Sequence, residues 1–321
     1  MRVLVTGGAG FLGTRLIQTL LDSQTTIGGE SISAITSLDM RACPVTDSRV
    51  TSVVGDGSDG EVIAATLTSD TAVVCHLAAV VSSEAEADFD RGMQVNLDAT
   101  RQLLDACRGL PRPPRFLFAS SLAVFGPDGT EPLAEDVAPM PQSSYGTQKA
   151  IGELLVNDYS RKGFIDGRAC RLPTIVVRPG RPNRAASSFA SSIIREPLAG
   201  VEAICPVGAE QSMWLSSPRS AVANLIHALE LPAERLGSWR TINLPGLSVT
   251  VTEMLDALAR RAGREARALV RFETDPDIER LVKSWPGALD VKRPYELGFR
   301  ADEDFDAAVA AFIEDEAAAG R

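Results

Sequence analysis

The sequence predicts an α/β fold, with a doubly wound parallel sheet and a smaller C-terminal lobe. Two observations carry this prediction. Arg2–Val5 is a short apolar run that enters a glycine-rich turn at once, and residues 14–21 then have helical periodicity. Beyond this start, short apolar runs alternate with helical stretches as far as residue 177, the order expected for parallel strands joined by crossover helices.

Composition restricts the class of protein. The 321 residues are enough for a sizeable core and two lobes, and 45% of them are hydrophobic. No apolar run reaches the roughly 18 residues of a membrane span, and the N-terminus lacks the pattern of a signal peptide. Five scattered cysteines and a net charge of −10 favour a reduced, cytoplasmic protein without nucleic-acid or membrane partners. Two histidines and no paired cysteines predict no metal site.

The turn after the first strand has the spacing of a dinucleotide-binding site. Thr6–Gly13 places glycines at positions 7, 10 and 13, directly before a helix. Gly7 allows a tight turn, Gly10 lets a pyrophosphate approach the backbone, and Gly13 lets the helix pack closely on the strand. The helix N-terminus then offers free N–H groups and a partial positive charge to phosphate. A purely structural glycine turn is the alternative.

The next two predicted strands each end in an acid. Asp39 closes strand 33–39, where a carboxylate can accept hydrogen bonds from the hydroxyls of an adenosine ribose and would repel a 2′-phosphate. Asp39 therefore favours NAD over NADP, although Arg41 is a residue type that can accommodate that phosphate. Asp56 closes strand 50–56, where it either accepts a hydrogen bond from the adenine amino group or caps the following helix.

A fourth strand, 71–79, runs into small residues, which are needed where the edge of the sheet contacts a cofactor. His76 within it is interpreted as a structural histidine rather than a catalyst. Residues 80–83 should follow near the substrate. Asn96, at the start of a helix predicted over 95–107, either holds the backbone near the nicotinamide or is an ordinary polar helix residue.

A tyrosine and a lysine are predicted to share one face of a helix. Tyr145 and Lys149 form a Tyr-x-x-x-Lys segment at the start of a helix predicted over 145–159. A free tyrosine, with a pKa of about 10, is a poor base at neutral pH, but a nearby positive charge lowers that pKa. Tyr145 can then take a proton from an alcohol. Ser121 stands at the carboxyl end of a fifth strand, 115–121, where open α/β sheets bind ligands. A half-buried tyrosine beside a solvated lysine is the alternative.

The pattern changes after a sixth predicted strand, 171–177. The following loop, 178–184, is basic and broken by proline, and it carries Arg178 and Arg181 in an acidic chain. It is either a solvated loop or a clamp for a substrate carboxylate, because arginine presents a bidentate fork. The later predicted elements are a helix ending at Leu231, a strand over 240–244, a capping box at Thr250–Glu253 and an acidic helix from Ala301 onward.

Together these motifs resemble the extended short-chain dehydrogenase/reductase family over most of the chain. Thr6–Gly13 matches its glycine turn, and residues 121–126 match its Ser-x-x-x-Tyr-Gly stretch with Phe125 in place of tyrosine. The resemblance implies a seven-stranded, Rossmann-type sheet and three catalytic residues, Ser121, Tyr145 and Lys149. It implies NAD contacts from Gly7, Gly10, Phe11, Leu12, Gly13, Asp39, Asp56, Gly57, Leu77, Ala78, Ala79, Asn96, Tyr145, Lys149, Pro173 and Thr174. It implies substrate contacts from Ser82, Ser121, Tyr145, Thr174, Arg178 and Arg181.

A narrower resemblance points to a family member that oxidises a short sugar acid with NAD. It rests on longer matching stretches at 76–86, 144–150, 157–164, 171–174, 178–183 and 195–198. It implies that Tyr145 takes the C2 hydroxyl proton, that Ser121 orients this hydroxyl and that Lys149 binds the ribose hydroxyls, leaving a 2-oxo acid. A nucleotide-sugar 4-epimerase or dehydratase, with the same three residues and bound NAD, is the main alternative. A non-catalytic NAD(H) sensor would often lack the tyrosine or the lysine.

The resemblance also implies how the chain is divided and how it associates. Residues 1–177 would form the NAD-binding domain, with a returning strand near 240–244, and residues 178–321 the substrate-binding lobe. The family commonly forms homodimers through the helix that carries Tyr145 and the helix that ends near Cys107. Three apolar residues are available either for that contact or for packing on the sheet, namely Ile151, Leu154 and Leu155.

Overall fold

The computed structural model describes residues 1–126, 132–180 and 185–319. The strands of these residues are β1 (Arg2–Thr6), β2 (Thr26–Ile27), β3 (Glu30–Ser31), β4 (Ala34–Asp39), β5 (Val50–Val54), β6 (Thr71–His76), β7 (Arg115–Ser121), β8 (Asp166–Leu172), β9 (Thr174–Ile175), β10 (Ala203–Cys205), β11 (Ser212–Ser216), β12 (Thr241–Asn243), β13 (Leu247–Thr250) and β14 (Val270–Phe272).

The helices of the same residues are α1 (Phe11–Leu20), α2 (Gly60–Thr66), α3 (Ser82–Ala87), α4 (Phe89–Gly92), α5 (Ala99–Arg108), α6 (Ser144–Arg161), α7 (Ser188–Leu198), α8 (Pro218–Glu230), α9 (Ala233–Leu236), α10 (Val251–Ala268), α11 (Pro276–Lys283), α12 (Lys292–Leu297) and α13 (Phe305–Ala319). A π-helix over Met93–Asp98 joins α4 to α5, and a 3₁₀ turn over Leu122–Val124 follows β7. Within these residues, no helix has both the length and the apolar character needed to cross a bilayer.

Seven strands form the central sheet, which confirms the predicted doubly wound fold. Their order is β12-β8-β7-β6-β1-β4-β5. β1 pairs in parallel with β4 on one side and with β6 on the other. The strand order therefore reverses between β1 and β6, and open sheets of this kind bind ligands at the carboxyl ends of the strands beside such a reversal. The turn after β1 and the segment after β6 both start there.

The chain divides into two compact units. Unit 1 comprises Met1–Ser121, Ser144–Arg171 and Val222–Ile242, and unit 2 comprises the described residues within Leu122–Ser143, Leu172–Ala221 and Asn243–Arg321. The core of unit 1 lies between the sheet and its helices and includes Leu4, Val74, Leu103, Phe116 and Val156. The core of unit 2 includes Ile193, Met254, Leu258 and Val309. A three-stranded sheet in the order β13-β11-β9 also belongs to unit 2.

A glycine brings α6 close to β7 within unit 1. Pro139 and Pro141 precede α6, and its 18 residues contain no proline. Gly152 faces the ring of Phe118 on β7, and a Cβ added there would lie 2.5 Å from the ring carbon Cζ. Only a residue without a side chain permits this approach. The contact sets the spacing between the helix that carries Tyr145 and the strand that ends at Ser121.

The sixth strand was predicted in the wrong place. The sheet strand is β8, which ends at Leu172, whereas the predicted strand 171–177 holds only the end of β8 and the two-residue β9, which belongs to another sheet. Pro173 separates the two because it has no N–H to donate to a ladder. The interior of β8 carries Arg168 and Arg171, whose side chains are fully buried, so its sequence does not resemble a buried strand.

Several helix boundaries also differ from prediction. The helix predicted over 95–107 begins earlier, because α4 and the π-helix lead into α5 without a break. The predicted capping box is confirmed: Thr250 Oγ1 accepts from Glu253 N at 3.2 Å, and Glu253 Oε2 accepts from Thr250 N at 2.7 Å. α10 continues to Ala268 across a break at Gly263, whose φ is +88°. The terminal helix begins at Phe305 rather than at Ala301.

Because Gly152 faces the ring of Phe118, replacing it by alanine should destabilise unit 1. The added methyl group forces Phe118 or the helix to move, and overpacking of this kind typically costs about 1–3 kcal/mol. We expect Gly152→Ala to lower the free energy of unfolding, measured by denaturant titration. Gly60→Ala is the control, because its Cβ would meet only the Gln102 side chain, at 3.6 Å. Equal effects of the two substitutions would contradict the packing role of Gly152.

Candidate active site

The glycine turn leaves backbone space that side chains would fill. Gly7 has a φ of +73°, and a Cβ there would lie 2.7 Å from the nitrogen of Ala78. A Cβ on Gly13 would lie 2.1 Å from the oxygen of Gly7. α1 starts after Gly10 with no side-chain cap and no acidic residue in its first turn, so its first N–H groups are available for an anion. The turn therefore fits a dinucleotide pyrophosphate.

Asp39 is fixed against this turn. Its Oδ2 accepts from the backbone N–H of Ala9 at 3.1 Å, and its Oδ1 accepts from that of Arg41 at 3.2 Å. Arg41 also donates from its guanidinium to the carbonyl oxygen of Ala9 at 3.3 Å. A carboxylate and a guanidinium group thus lie close together at the end of β4, where the adenosine ribose of a dinucleotide binds in sheets of this type.

Asp56 does not cap the next helix, so that interpretation is wrong. The N-cap of α2 is Asp59, whose side chain accepts from Glu61 N at 2.9 Å. Asp56 instead accepts from the backbone N–H and the hydroxyl of Ser58 and from Arg91 at 3.3 Å. These bonds, with those from Ser58 the stronger, lower the pKa of the Asp56 carboxyl. The contact of Asp56 with adenine stays a prediction.

His76 is a buried structural residue, as interpreted from the sequence. Its Nδ1 is 2.6 Å from Thr6 Oγ1 and its Nε2 is 2.9 Å from Thr100 Oγ1. Thr100 donates its own proton to the carbonyl of Asn96, so Nε2 carries the imidazole proton and Nδ1 accepts from Thr6. Burial, followed by the charge of Lys149, lowers the pKa of His76 to about 3. The imidazole is therefore neutral and links the end of β1 to α5.

The side chain of Asn96 binds the backbone of Val80, which is one of the two roles that its position suggested. Its Oδ1 accepts from Val80 N at 2.8 Å, and its Nδ2 donates to Val80 O at 3.1 Å and to Gln148 Oε1 at 2.7 Å. Gln148 precedes Lys149 on α6. One buried amide thus ties the segment after β6 to the helix that carries the predicted catalytic pair.

Ser121, Tyr145 and Lys149 all belong to unit 1. Ser121 is the last residue of β7, and the other two lie in the first two turns of α6. Lys149 is 1% exposed. Its Nζ lies 4.7 Å from the ring centre of Phe118 and 5.7 Å from that of Tyr145. The structure therefore brings the phenol ring and the ammonium together, at the spacing of a cation–π contact.

Burial changes the charge state of this lysine. It lowers the pKa of Lys149 to about 7, and the nearby carboxylate of Glu153 opposes the shift. A lysine that titrates near neutrality can gain or lose a proton at the pH where the enzyme works, which is typical of catalytic sites. Lys149 is thus placed to respond to a change of charge on the phenol beside it.

A buried polar cluster that the motifs did not predict includes Glu153, one turn after Lys149 on α6. Glu153 Oε1 accepts from Ser120 Oγ at 2.5 Å and from Arg171 Nε at 2.9 Å, and Glu153 Oε2 accepts from Arg171 Nη2 at 2.8 Å. None of the three residues is more than 1% exposed. The signal was present, because Glu153 follows Lys149 by four residues and so shares its helix face. Arg171, on β8, therefore belongs to this buried cluster.

The other predicted residues have varied positions. Ser82 begins α3 in unit 1 and is buried. In unit 2, Arg178 donates from Nε to the carbonyl of Ile175 at 3.0 Å and from Nη2 to Ser187 Oγ at 3.4 Å. Thr174 lines a small cavity within unit 2 together with Leu122, Ser212, Met213, Trp214, Val282, Trp285 and Pro286. Arg181 lies outside the described residues.

A doubly wound sheet with a glycine turn beside its switch point and a Tyr–Lys pair on an adjacent helix defines an NAD-dependent oxidoreductase. The chain belongs to the NAD dependent epimerase/dehydratase family, whose model matches residues 3–217. This confirms the resemblance to extended short-chain dehydrogenases and reductases that the motifs indicated.

Two curated relatives match the chain from end to end. The D-erythronate dehydrogenase of Cupriavidus necator is 54% identical over 319 residues, which cover 98% of each chain. The D-erythronate dehydrogenase of Haemophilus influenzae is 48% identical over 314 residues, or 98% of this chain and 99% of that one. A crystal structure described as the nucleoside-diphosphate-sugar epimerase from Agrobacterium tumefaciens superposes with a TM-score of 0.93. It is 42% identical and covers 99% of this chain and 95% of that one.

The buried position of Lys149 can be tested in the cofactor-free protein. The chain has four lysines, so ¹⁵N-lysine labelling gives a simple NMR spectrum, and a Lys149→Met variant assigns the signal. We expect Lys149 Nζ to titrate near pH 7, because burial outweighs the charge of Glu153. The exposed Lys162, Lys283 and Lys292 are internal references. A midpoint near the ordinary lysine value of about 10.4 would contradict the burial.

Proposed function

We propose that this protein oxidises the C2 hydroxyl of D-erythronate, a four-carbon sugar acid, to the 2-oxo acid with NAD. The observation that carries the proposal is the match, over 98% of the chain, to two dehydrogenases named for that substrate. The presence of Ser121, Tyr145 and Lys149 in unit 1 supports a dehydrogenase over a non-catalytic NAD(H) sensor. The chemistry needs an alcohol, a base and a hydride acceptor.

NAD would be held by unit 1. The glycine turn with the start of α1 (Gly7, Gly10, Phe11, Leu12 and Gly13) would hold the pyrophosphate, and Asp39 the adenosine ribose. Asp56 and Gly57 would contact the adenine, and Leu77–Ala79 with Asn96 would form the wall behind the nicotinamide. When bound, NAD supplies a hydride acceptor for C2. The protein's task is then to orient the alcohol and to remove its proton.

The proton would leave through the phenol of Tyr145. Ser121 donates or accepts a hydrogen bond at the C2 oxygen and so fixes its direction. Lys149, whose Nζ lies 5.7 Å from the Tyr145 ring centre, makes the phenolate form less costly when it carries its charge. It also offers donors to the nicotinamide ribose. General-base catalysis of this kind typically contributes ~10²–10⁴-fold in rate.

The acid itself would be recognised by donors from unit 2. An aldonate has a carboxylate beside the reacting carbon, and a carboxylate leaving water needs paired donors. Residues 178–321 would form the substrate-binding lobe. Thr174, just before this lobe, would contact the substrate, and Pro173 would contact the cofactor. Arg178 and Arg181 are the candidate clamps. The guanidinium of Arg178 bonds to Ile175 and Ser187, which favours Arg181 for the substrate.

A nucleotide-sugar 4-epimerase or dehydratase is the second candidate. It is favoured by the description of the Agrobacterium tumefaciens structure, which is 42% identical. The same Ser-Tyr-Lys set would serve it. Mixing the protein with NAD and D-erythronate, and separately with a UDP-sugar, distinguishes the two. We expect NADH absorbance to rise steadily only with the acid. Turnover of the UDP-sugar without net formation of NADH would contradict our proposal and favour the epimerase or dehydratase.

We also propose that the protein is a cytoplasmic homodimer without nucleic-acid partners. Leu154 on α6 is 57% exposed and Phe89 at the start of α4 is 58% exposed, which supports a contact through the helices beside Tyr145. Leu155 instead packs against the core of unit 1. All five cysteines are free thiols, which supports a reducing compartment. The net charge of −10 argues against phosphate backbones as partners.

The first test removes only the phenol oxygen. Tyr145→Phe should lower kcat by ~10²–10⁴-fold, because the general base is lost. The dissociation constant of NAD, measured by calorimetry, should stay nearly unchanged because the ring is kept. A variant with a rate close to that of the unaltered protein would show that another group takes the proton.

The second test concerns cofactor choice. Asp39→Ala should weaken NAD binding and narrow the preference over NADP, because the carboxylate that accepts from the ribose and repels a 2′-phosphate is gone while Arg41 remains beside it. Dissociation constants for both cofactors measure this directly. Asp59→Ala, which removes an exposed acid at the N-cap of α2, is the control. Equal use of both cofactors by the unaltered protein would refute the role of Asp39.

The third test concerns the carboxylate clamp. A charge-assisted hydrogen bond contributes roughly 1.5–3 kcal/mol, so Arg181→Ala should raise the KM for D-erythronate by about one to two decades. It should not change the dissociation constant of NAD. It should also remove discrimination between the acid and its neutral lactone. An unchanged KM in both Arg181→Ala and Arg178→Ala would place the clamp elsewhere and strengthen the epimerase alternative.

A further inference from the structure

A buried acid on the catalytic helix has no part in the chemistry described so far. Glu153 lies one turn beyond Lys149 on α6 and is 1% exposed. Burying a carboxylate is costly unless it is paired and hydrogen-bonded. Here both of its oxygens are used: Oε1 accepts from Ser120 and Arg171, and Oε2 accepts from Arg171. Ser120 and Arg171 thus supply the hydrogen bonds that the buried charge of Glu153 requires.

The partners of Glu153 connect the strands to the helix. Ser120 is the residue before Ser121 on β7, and its hydroxyl lies 2.5 Å from Glu153 Oε1. Arg171 is on β8, the neighbouring strand, and binds both oxygens of the carboxylate. The carboxylate of Glu153 therefore fixes the end of β7 relative to α6, and with it the position of Ser121 relative to Tyr145 and Lys149.

The same carboxylate acts on Lys149 through space. Its charge favours the ammonium form of Lys149 and works against the loss of charge that burial causes. Two other titratable groups lie near this lysine: His76 on β6, which is neutral, and Tyr145 on α6 itself. The positive charge of Arg171 on β8 is paired with Glu153. Glu153 is thus the negative charge that favours the protonated lysine.

We infer that Glu153 is a positioning residue for the dehydrogenase reaction, which holds Ser121 in register with Tyr145 through Ser120 and places a negative charge on the helix face that carries Lys149. This inference rests on the proposed function for its kinetic consequences only. When Nζ carries its charge, the Tyr145 phenol ionises at lower pH and can take the C2 proton there. Loss of the carboxylate leaves Nζ uncharged over a wider pH range, so the base forms only at higher pH.

The hydrogen bonds and the charge can be separated by two substitutions. Glu153→Gln keeps an oxygen for Ser120 but removes the charge. Ser120→Ala removes the bond to the strand but keeps the charge. For Glu153→Gln we expect the Lys149 Nζ midpoint in the cofactor-free protein to fall by about 1 unit or more, as measured by ¹⁵N-lysine NMR. The acid limb of the kcat–pH profile should move upward by a similar amount. For Ser120→Ala we expect a several-fold lower kcat with both midpoints unchanged.

A third variant is needed in case Glu153→Gln does not fold. Glu153→Gln leaves Arg171 buried with one partner weakened, which is destabilising. The double variant Glu153→Met with Arg171→Leu replaces the whole ion pair by apolar groups of similar size, and such replacements are often neutral or stabilising. Its Lys149 midpoint should also fall. Asp158→Asn, an exposed acid on the same helix that pairs with Arg161, is the control and should shift neither midpoint.

The outcomes are distinct. A Lys149 midpoint and a pH profile that both stay unchanged in a folded Glu153→Gln or double variant would overturn the inference, and Glu153 would be only a structural residue. A shift equal to that of Asp158→Asn would overturn it as well. Because the NMR titration needs neither NAD nor substrate, it tests the inference even if D-erythronate is not turned over. Failure of the proposed function would appear instead as absent NADH formation by the unaltered protein.

Discussion

The structure of the site depends on the burial of one ammonium group. Lys149 is 1% exposed and its Nζ lies over the ring of Phe118. An isolated charge away from water is very costly, and proteins respond by shifting its pKa or by pairing it. The first response occurs here, because burial lowers the pKa of Lys149 to about 7, and the charge of Glu153 limits the fall. Glu153 in turn needs Arg171 and Ser120. The helix α6 is therefore held to β7 and β8 by the same carboxylate that raises the pKa of Lys149 against burial.

The cofactor side of unit 1 is joined to this arrangement by a series of buried hydrogen bonds. His76 links Thr6, the residue before the glycine turn, to Thr100, and Thr100 donates to the carbonyl of Asn96. The Asn96 amide then reaches Gln148 beside Lys149. Buried hydrogen bonds favour the arrangement that makes them, because breaking one leaves a donor or acceptor unpaired away from water. The residues that would bind NAD and those that would move the proton are thus pre-positioned relative to one another.

Local patterns in the sequence predicted the parts of the fold that local chemistry decides. The glycine turn, the Tyr145–Lys149 pair and the capping box at Thr250 each depend on residues a few positions apart. β8 could not be found in this way. Its buried Arg168 bonds not only to nearby Asp166 but also to the carbonyl groups of Ala228 and Leu231, and its Arg171 bonds to Glu153; except for Asp166, these partners are distant in sequence. One of the two roles considered for Asp56, capping the next helix, belongs to Asp59, because nothing in the sequence shows how many residues the turn uses. The spacing of Glu153 from Lys149 is visible in the sequence, but its bonds to Ser120 and Arg171 form only when β7, β8 and α6 meet.

The central claim is that the Tyr145 site removes a hydrogen from C2 of an aldonate and passes it to NAD. The most direct measurement uses D-erythronate carrying deuterium at C2, with the nicotinamide and the acid products analysed by mass spectrometry. The account predicts one deuterated NADH for each molecule of 2-oxo acid, and a slower rate than with unlabelled substrate if hydride transfer limits turnover. Deuterium that stays with the carbon product, or that returns to it without accumulation of reduced cofactor, would contradict the account.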